Sequence, residues 1–298
     1  MTVHQQIFQL LEQPMLILKQ RNHELLIEDA NVAFMEMTGH SLTHLKSRDG
    51  RELAKRFKLD LTKRVLKSEI LIRTKARTKL KVRVEQMPLP KDPNDEWTRA
   101  LLIAEDLTAY NWIEEQHEKG SVLMSGIMDK HMHVRFLRHS TAPRLFEPDV
   151  TLEDETLLHF IAESEHGRIK QLLREAAQQQ QERSVTLQTG KQSGVQLELE
   201  LTFFPIRNGF GRCNEMAFVI WDIKPAGEHA DDPSVKLKIW MAKREMTAGQ
   251  LAEATGISLQ TISKLRNGKI KKPQRLTAEL IASELGIDTR DIWPSLRK

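Results

Sequence analysis

Residues 247–273, TAGQLAEATGISLQTISKLRNGKIKKP, restrict the fold more than any other stretch of the chain. They prescribe two short helices around a glycine turn, followed by a basic tail. Thr247 is a good N-cap, and Gln250 three positions later completes a capping box that satisfies two otherwise orphaned backbone donors. Leu251, Ala252 and Ala254 put small apolar groups on or near one side of the first helix, and Gly256 takes the left-handed conformation that stops it. Ser258 then caps a second helix, in which Ile262 and Leu265 are three apart and face inward. Leu259, Gln260, Thr261 and Lys264 remain on the outer side. Asn267, Gly268, Lys269, Lys271 and Lys272 come next, and the glycine C-cap leaves backbone N–H groups near a duplex docked on this face.

The chemistry of the outer side suits a nucleic-acid groove. Gln bonds adenine bidentately, Lys donates to guanine acceptors, and a Thr methyl or Leu touches a thymine methyl; each good bidentate pair discriminates by roughly 1–3 kcal/mol. Lysines beyond the helix suit phosphates, which hold register without reading sequence. The T-x-x-Q-L-A start, G-I-S turn, I-S-x-L-x-N-G helix and K-I-K-K-P exit resemble the phage repressor and Cro-like helix-turn-helix domains, as do a closing helix ending in L-G-I and a short D-T-R-D-I-W helix. The likeness runs from about Val235 to Pro294. It implies five helices, with Leu259, Gln260, Thr261 and Lys264 facing the bases of double-stranded DNA and Thr247, Asn267, Lys269, Lys271 and Lys272 beside phosphates. Many members carry Glu where this chain has Arg266, paired with an Arg near the position of Met241, so that internal ion pair is expected to be missing.

Charge follows the same division. Residues 234–298 hold 13 Lys plus Arg against 6 Asp plus Glu, a net +7, while the whole chain is +4 and the preceding 233 residues are therefore −3. Localised basicity of this kind is the footprint expected for phosphate binding. At 298 residues the chain is long enough for two or three domains of about 150 residues or fewer. No apolar run approaches the roughly 20 residues that a membrane helix needs, and the N-terminus lacks a signal-peptide pattern, so a cytoplasmic protein with no membrane partner is expected. The single cysteine, Cys213, excludes an internal disulfide and a Cys-rich zinc site.

Upstream of a polar, proline-bearing linker at 225–234, two segments repeat one order of elements. The first has strands at MLILK and ELLIED, a helix over about Ala30 to Thr38 stopped by Gly39, and strands at KSEILIRTK, TKLKVRVEQM and RALLIAEDL. The second has a hairpin from SVLMSGIMD and HMHVRFLRH, helical stretches over about Thr141 to Gln181, and strands at SVTLQTG, VQLELELTFFP and NEMAFVIWDI. Two strands, short helices and three strands, with N-x-A-F-x-x-x-T-G-H-S from Asn31 to Ser41, E-D-L-T from Glu105 to Thr108, F-F-P-I from Phe203 to Ile206 and W-D-I from Trp221 to Ile223, resemble the PAS sensory fold. That resemblance implies domains that hold a small-molecule ligand against the sheet or dimerise through it, and names no particular signal. Between them, AYNWIEEQHEK reads as a short amphipathic helix with Tyr110, Trp112 and Ile113 set against Glu114, Glu115 and Glu118.

Other features point to less. His131, His133, His139, His159 and His166 fit no metal motif, and satisfied structural histidines are the expectation. Cys213 lies outside the helical N-C-R-F-type motif of photoactive flavin relatives, which disfavours flavin photochemistry; the cofactor is left unknown. Arg73, Lys75, Arg77, Lys79, Lys81 and Arg83 recur at every second position opposite Leu80, Val82 and Val84, a solvated sheet face or a surface for an acidic partner or flanking DNA. No Walker A, GxSxG, HExxH or kinase pattern supports an enzyme. The expectation is an α+β chain: PAS-like antiparallel-sheet domains over 8–119 and 120–224, a linker over 225–234, and an all-α five-helix helix-turn-helix domain over 235–298. Functionally it reads as a sequence-specific DNA-binding regulator of transcription, a homodimer because paired half-sites about 34 Å apart match two-fold symmetry. The competing reading is a PAS-based protein-interaction scaffold whose helical domain contacts protein.

Overall fold

The computed structural model describes residues 2–22, 24–47, 60–91, 95–139, 156–190, 196–227 and 230–295. The chain forms two compact units, Met1–Trp112 with Ile206–Asn214, and Ile113–Pro205 with Glu215–Lys298.

In the first unit, α1 (Val3–Leu10) precedes β1 (Met15–Arg21) and β2 (Glu24–Ala30), then α2 (Val32–Thr38) and α3 (Leu42–Leu45), then β3 (Val65–Arg73), β4 (Lys79–Pro88) and β5 (Thr98–Asp106). The strands form one antiparallel sheet in the order β2-β1-β5-β4-β3. Period-two patterning explains its two faces: Leu80, Val82, Val84 and Gln86 of β4 are buried while Lys79 and Lys81 are exposed. Leu16, Leu18, Ile27, Phe34 and Leu102 join that buried set in one core. The helix expected from Ala30 begins two residues later, because Asn31 is its N-cap and accepts from the Phe34 amide at 2.9 Å. Gly39 stops it with φ 75°, as its sequence position implies.

Asn31 also ties the helix to the sheet. Its Oδ1 accepts from the Met15 amide at 2.8 Å, its Nδ2 donates to the Leu11 and Gln13 carbonyls at 3.1 and 2.7 Å, and its own amide donates to the Met15 carbonyl at 3.0 Å. The residue is fully buried with its side-chain bonding capacity used.

The connecting helix α4 (Thr108–Lys119) runs across the boundary between the units and buries Ala109, Trp112, Ile113 and Gln116 while exposing Glu114, Glu115 and Glu118. In the second unit follow β6 (Met124–Asp129), β7 (Val134–His139), α5 (Leu157–Phe160), a 3-10 turn at Glu163–Glu165, α6 (His166–Gln179), and β8 (Arg183–Gln188), β9 (Gln196–Arg207) and β10 (Cys213–Ala226). The second sheet has the order β7-β6-β10-β9-β8, the same arrangement as the first. Two strands, helices and three strands thus recur in both, the order the PAS resemblance implies; the expected helical stretch over 141–155 lies outside the described residues. Gly126 of β6 leaves no room for a side chain between its neighbouring strands, since a Cβ there would lie 2.6 Å from the Phe218 ring and 2.7 Å from the Phe136 carbonyl oxygen.

Two of the noted histidines belong to a turn organised by Asp129, whose Oδ1 accepts from the His131 and His133 amides at 2.8 and 3.0 Å while Arg135 reaches Oδ2 at 3.3 Å. Partial burial pushes that carboxyl up, but the two amides and the guanidinium outweigh it, and the group sits below the usual carboxylate value. A depressed carboxyl contributes stability above its unfolded value of about 3.9 and loses it as pH falls through the folded value. Asp129→Ala is therefore expected to destabilise this sheet by about 2 kcal/mol near neutral pH, with the difference from wild type shrinking below about pH 4, as denaturant melts at graded pH will measure. His166 is structural too: its Nε2–H donates to the Leu158 and Ile161 carbonyls, both at 2.9 Å.

Candidate nucleic-acid interface

Five helices close the chain: α7 (Pro233–Lys243), α8 (Ala248–Thr255), α9 (Leu259–Arg266), α10 (Arg275–Leu285) and α11 (Thr289–Ile292). The expected linker is shorter than its composition suggests, because β10 runs on to Ala226 and α7 opens at Pro233, with Asp232 capping it through the Ser234 amide at 2.8 Å. Lys243 near the end of α7 pairs with Asp222 of β10 and lies 4.7 Å from the Trp240 ring centroid. Burial raises the Asp222 carboxyl, but the Lys243 ammonium outweighs it and holds the group below its ordinary value.

The turn between α8 and α9 is built as its residues dictate. Thr247 and Gln250 form a reciprocal capping box, with the Gln250 amide donating to Thr247 Oγ1 at 3.2 Å and the Thr247 amide to Gln250 Oε1 at 2.9 Å. Gly256 ends α8 at φ 70°, where a side chain would be strained. Ser258 caps α9 by accepting from the Thr261 amide at 3.3 Å. Ile262 and Leu265 are then fixed in a core with Leu237, Met241, Leu251, Ala278, Ile281, Leu285, Ile292 and Trp293. Met241 is buried in that core and offers no charge to Arg266. Arg244 binds the end of α10, Nε donating to the Leu285 carbonyl at 2.7 Å.

With Ile262 and Leu265 inward, the opposite side of α9 is open. Gln260 and Lys264 are exposed and Leu259 is 54% exposed, whereas Thr261 is half-buried with its hydroxyl 2.9 Å from Ser258 Oγ. At about 100° per residue the direction opposite the two buried side chains falls on Gln260, flanked by Ser263 and Lys264. Ser263 is thus nearer the centre of the open side than Thr261, and it is exposed. Ser263 is absent from the residues expected to face bases, although its position three after Gln260 and four after Leu259 carries the signal.

At the exit from α9 the amides of the glycine turn bond within the chain: Gly268 donates to the Leu265 carbonyl at 3.2 Å, and Lys269 and Ile270 both donate to the Lys264 carbonyl at 2.9 and 3.2 Å. Gly268, at φ 68°, closes the helix end on itself. The side chains of Thr247, Asn267, Lys269, Lys271 and Lys272 are all exposed, while Ile270 packs against the core and Pro273 is buried. Capability for phosphate contact therefore rests on ammonium groups rather than on this loop's amides.

Residues 236–293 match the Cro/C1-type HTH DNA-binding domain. The helix-turn-helix is α8 and α9, with α9 as its second helix. No curated protein matches the chain. Among solved structures, a PAS domain from a two-component sensor histidine kinase is 15% identical, covering 35% of this chain and 92% of its own with a TM-score of 0.29. A LOV domain from the Erythrobacter litoralis EL346 blue-light activated histidine kinase is 19% identical, covering 33% and 97% with a TM-score of 0.27. The Rhodobacter sphaeroides LOV protein is 13% identical, covering 35% and 64% with a TM-score of 0.28. Among the described residues no group of three or more His, Cys, Asp or Glu side chains could hold a metal ion, and no helix is long and apolar enough to cross a membrane.

Proposed function

We propose that the chain is a sequence-specific DNA-binding regulator of transcription, in which α9 of the Cro/C1-type domain enters the major groove of a duplex. Leu259, Gln260, Thr261 and Lys264 face base edges, and Thr247, Asn267, Lys269, Lys271 and Lys272 lie along the phosphates. The observation that carries this reading is the open side of α9, centred on Gln260 and flanked by Ser263 and Lys264, held by two capped ends over buried Ile262 and Leu265. A rigid polar helix face followed by exposed lysines is what direct readout with backbone positioning demands. The two sheet domains, over 8–119 and 120–224, sense a small molecule or a partner, mediate dimerisation, or do both, and the reader occupies 235–298. A dimer places two copies of α9 on half-sites about 34 Å apart, and a ligand regulates by its differential affinity for arrangements that fit or miss that spacing.

Selection of bound sequences from a random duplex pool tests this directly. An enriched motif repeated with two-fold symmetry is expected; a protein that retains no sequence from the pool above background contradicts the proposal. Lys271→Ala separates positioning from reading. Its affinity should fall alike on selected and random duplex, and the slope of log affinity against log salt should flatten by about 0.9.

A further inference from the structure

The basic run over Arg73 to Arg83 divides into two parts that the sequence alone does not distinguish. Farther from the hairpin tip its cations are neutralised: Lys81 lies 2.7 Å from Glu69, and Arg83 lies 3.5 Å from Glu69 and 3.0 Å from Glu105. At the tip of the β3–β4 hairpin, Arg73, Lys75, Arg77 and Lys79 are all exposed, and among the described residues no ion pair reaches any of them. No Asp or Glu occurs between Ile70 and Val84.

The tip is also rigid. Arg73 and Lys79 are opposed in the ladder, the Thr74 amide donates to the Thr78 carbonyl at 3.0 Å, and the Arg77 amide donates to the Thr74 carbonyl at 2.9 Å. The Thr74 and Thr78 hydroxyls meet at 2.6 Å, and Arg77 takes the left-handed conformation at φ 64° that closes so tight a turn. The Lys75 amide donates to the Thr38 carbonyl at 2.9 Å, which anchors the turn to the end of α2. Regular alternation therefore stops at Arg73 and resumes at Lys79, and Lys75 and Arg77 sit in the turn.

We infer that this tip is a second, sequence-independent contact to the phosphates of duplex DNA, made by Arg73, Lys75, Arg77 and Lys79. A solubilising surface interleaves both signs, as the inner part of this same hairpin does. The tip instead concentrates four cations in residues 73–79, within a 233-residue region whose net charge is −3. Phosphates draw both Arg and Lys, whereas the core of a protein interface favours aromatic residues, Met and Arg and is depleted in Lys; the tip sequence RTKARTK has two Lys beside its two Arg and no aromatic residue or Met. This inference rests on the DNA-binding proposal and adds a contact outside the helix-turn-helix.

The test uses the full chain and a random-sequence duplex several helical turns long, with binding followed by fluorescence anisotropy across a salt series. A tip variant, Arg73→Gln with Lys75→Gln, Arg77→Gln and Lys79→Gln, is compared with a reader variant, Lys269→Gln with Lys271→Gln and Lys272→Gln. At about 0.9 per phosphate contact, the tip variant should flatten the slope of log affinity against log salt by about three and a half units. Lys75→Gln with Lys79→Gln alone, which leaves the left-handed Arg77 in place, should flatten it by about two and guards against a folding defect. A change below about one unit in both tip variants overturns the inference, and if the reader variant still flattens the slope, the DNA-binding proposal survives it. A wild-type chain that ignores the duplex at low salt overturns both. Polyglutamate binding that the tip substitutions abolish, with the DNA slope unchanged, would assign the tip to an acidic protein and equally overturn the inference.

Discussion

Asn31→Leu is expected to destabilise the first sheet domain by about 3–5 kcal/mol, the range of a mutation that orphans several buried backbone groups at once. The side chain is almost isosteric with leucine, so packing volume is nearly kept and the loss isolates hydrogen bonding. Four bonds disappear: those accepted from the Met15 and Phe34 amides and those donated to the Leu11 and Gln13 carbonyls. The two amides are left in a site from which water is excluded, and each orphaned group costs roughly 1–3 kcal/mol, partly relieved if the backbone relaxes. Urea denaturation followed by a probe in the first domain measures the effect. A loss below about 1 kcal/mol would show that the entry into α2 re-forms without its cap.

Asn31 also illustrates what a sequence makes legible. Its N-x-A-F context marks a helix start, and period-two patterning marks β4, because capping and burial leave local signatures. The same holds for Thr247, Gln250, Gly256 and Ser258, each of which performs the local task its residue type suits. Long-range partners leave no such signature. Nothing near Asn31 in sequence announces that its amide group spans β1 and the preceding turn, and nothing in the run from Arg73 to Arg83 tells which cations have a carboxylate from another strand beside them. At the linker the local signal points the other way: Pro225 and Pro233 read as breakers, yet one lies near the end of a strand and the other at a helix's first position, where proline is tolerated. On α9, burial of Ile262 and Leu265 was readable from spacing, whereas the half-buried state of Thr261 depends on its hydroxyl contact with Ser258 and on its place at the margin of the open side.

Gln260→Ala combined with Lys264→Ala is expected to reduce discrimination between the selected site and random duplex by about 2–6 kcal/mol, since each bidentate base contact accounts for roughly 1–3 kcal/mol. Both side chains are exposed on the open side of α9 and neither contributes to the core beneath it, so the folded domain should be preserved. The physical distinction from Lys271→Ala lies in what is read. A cation on a phosphate releases counterions whatever the base sequence, so its loss lowers every affinity together, while an amide or ammonium on a base edge is matched only at the correct base pair. The double variant should therefore lose affinity for the selected site until it approaches the random-duplex value, with the random-duplex salt slope changed by less than one unit. Competition of labelled site against unlabelled random duplex measures the ratio. If affinity for both falls by the same factor, Gln260 and Lys264 hold the backbone rather than read bases, and the open side of α9 is not what selects the operator.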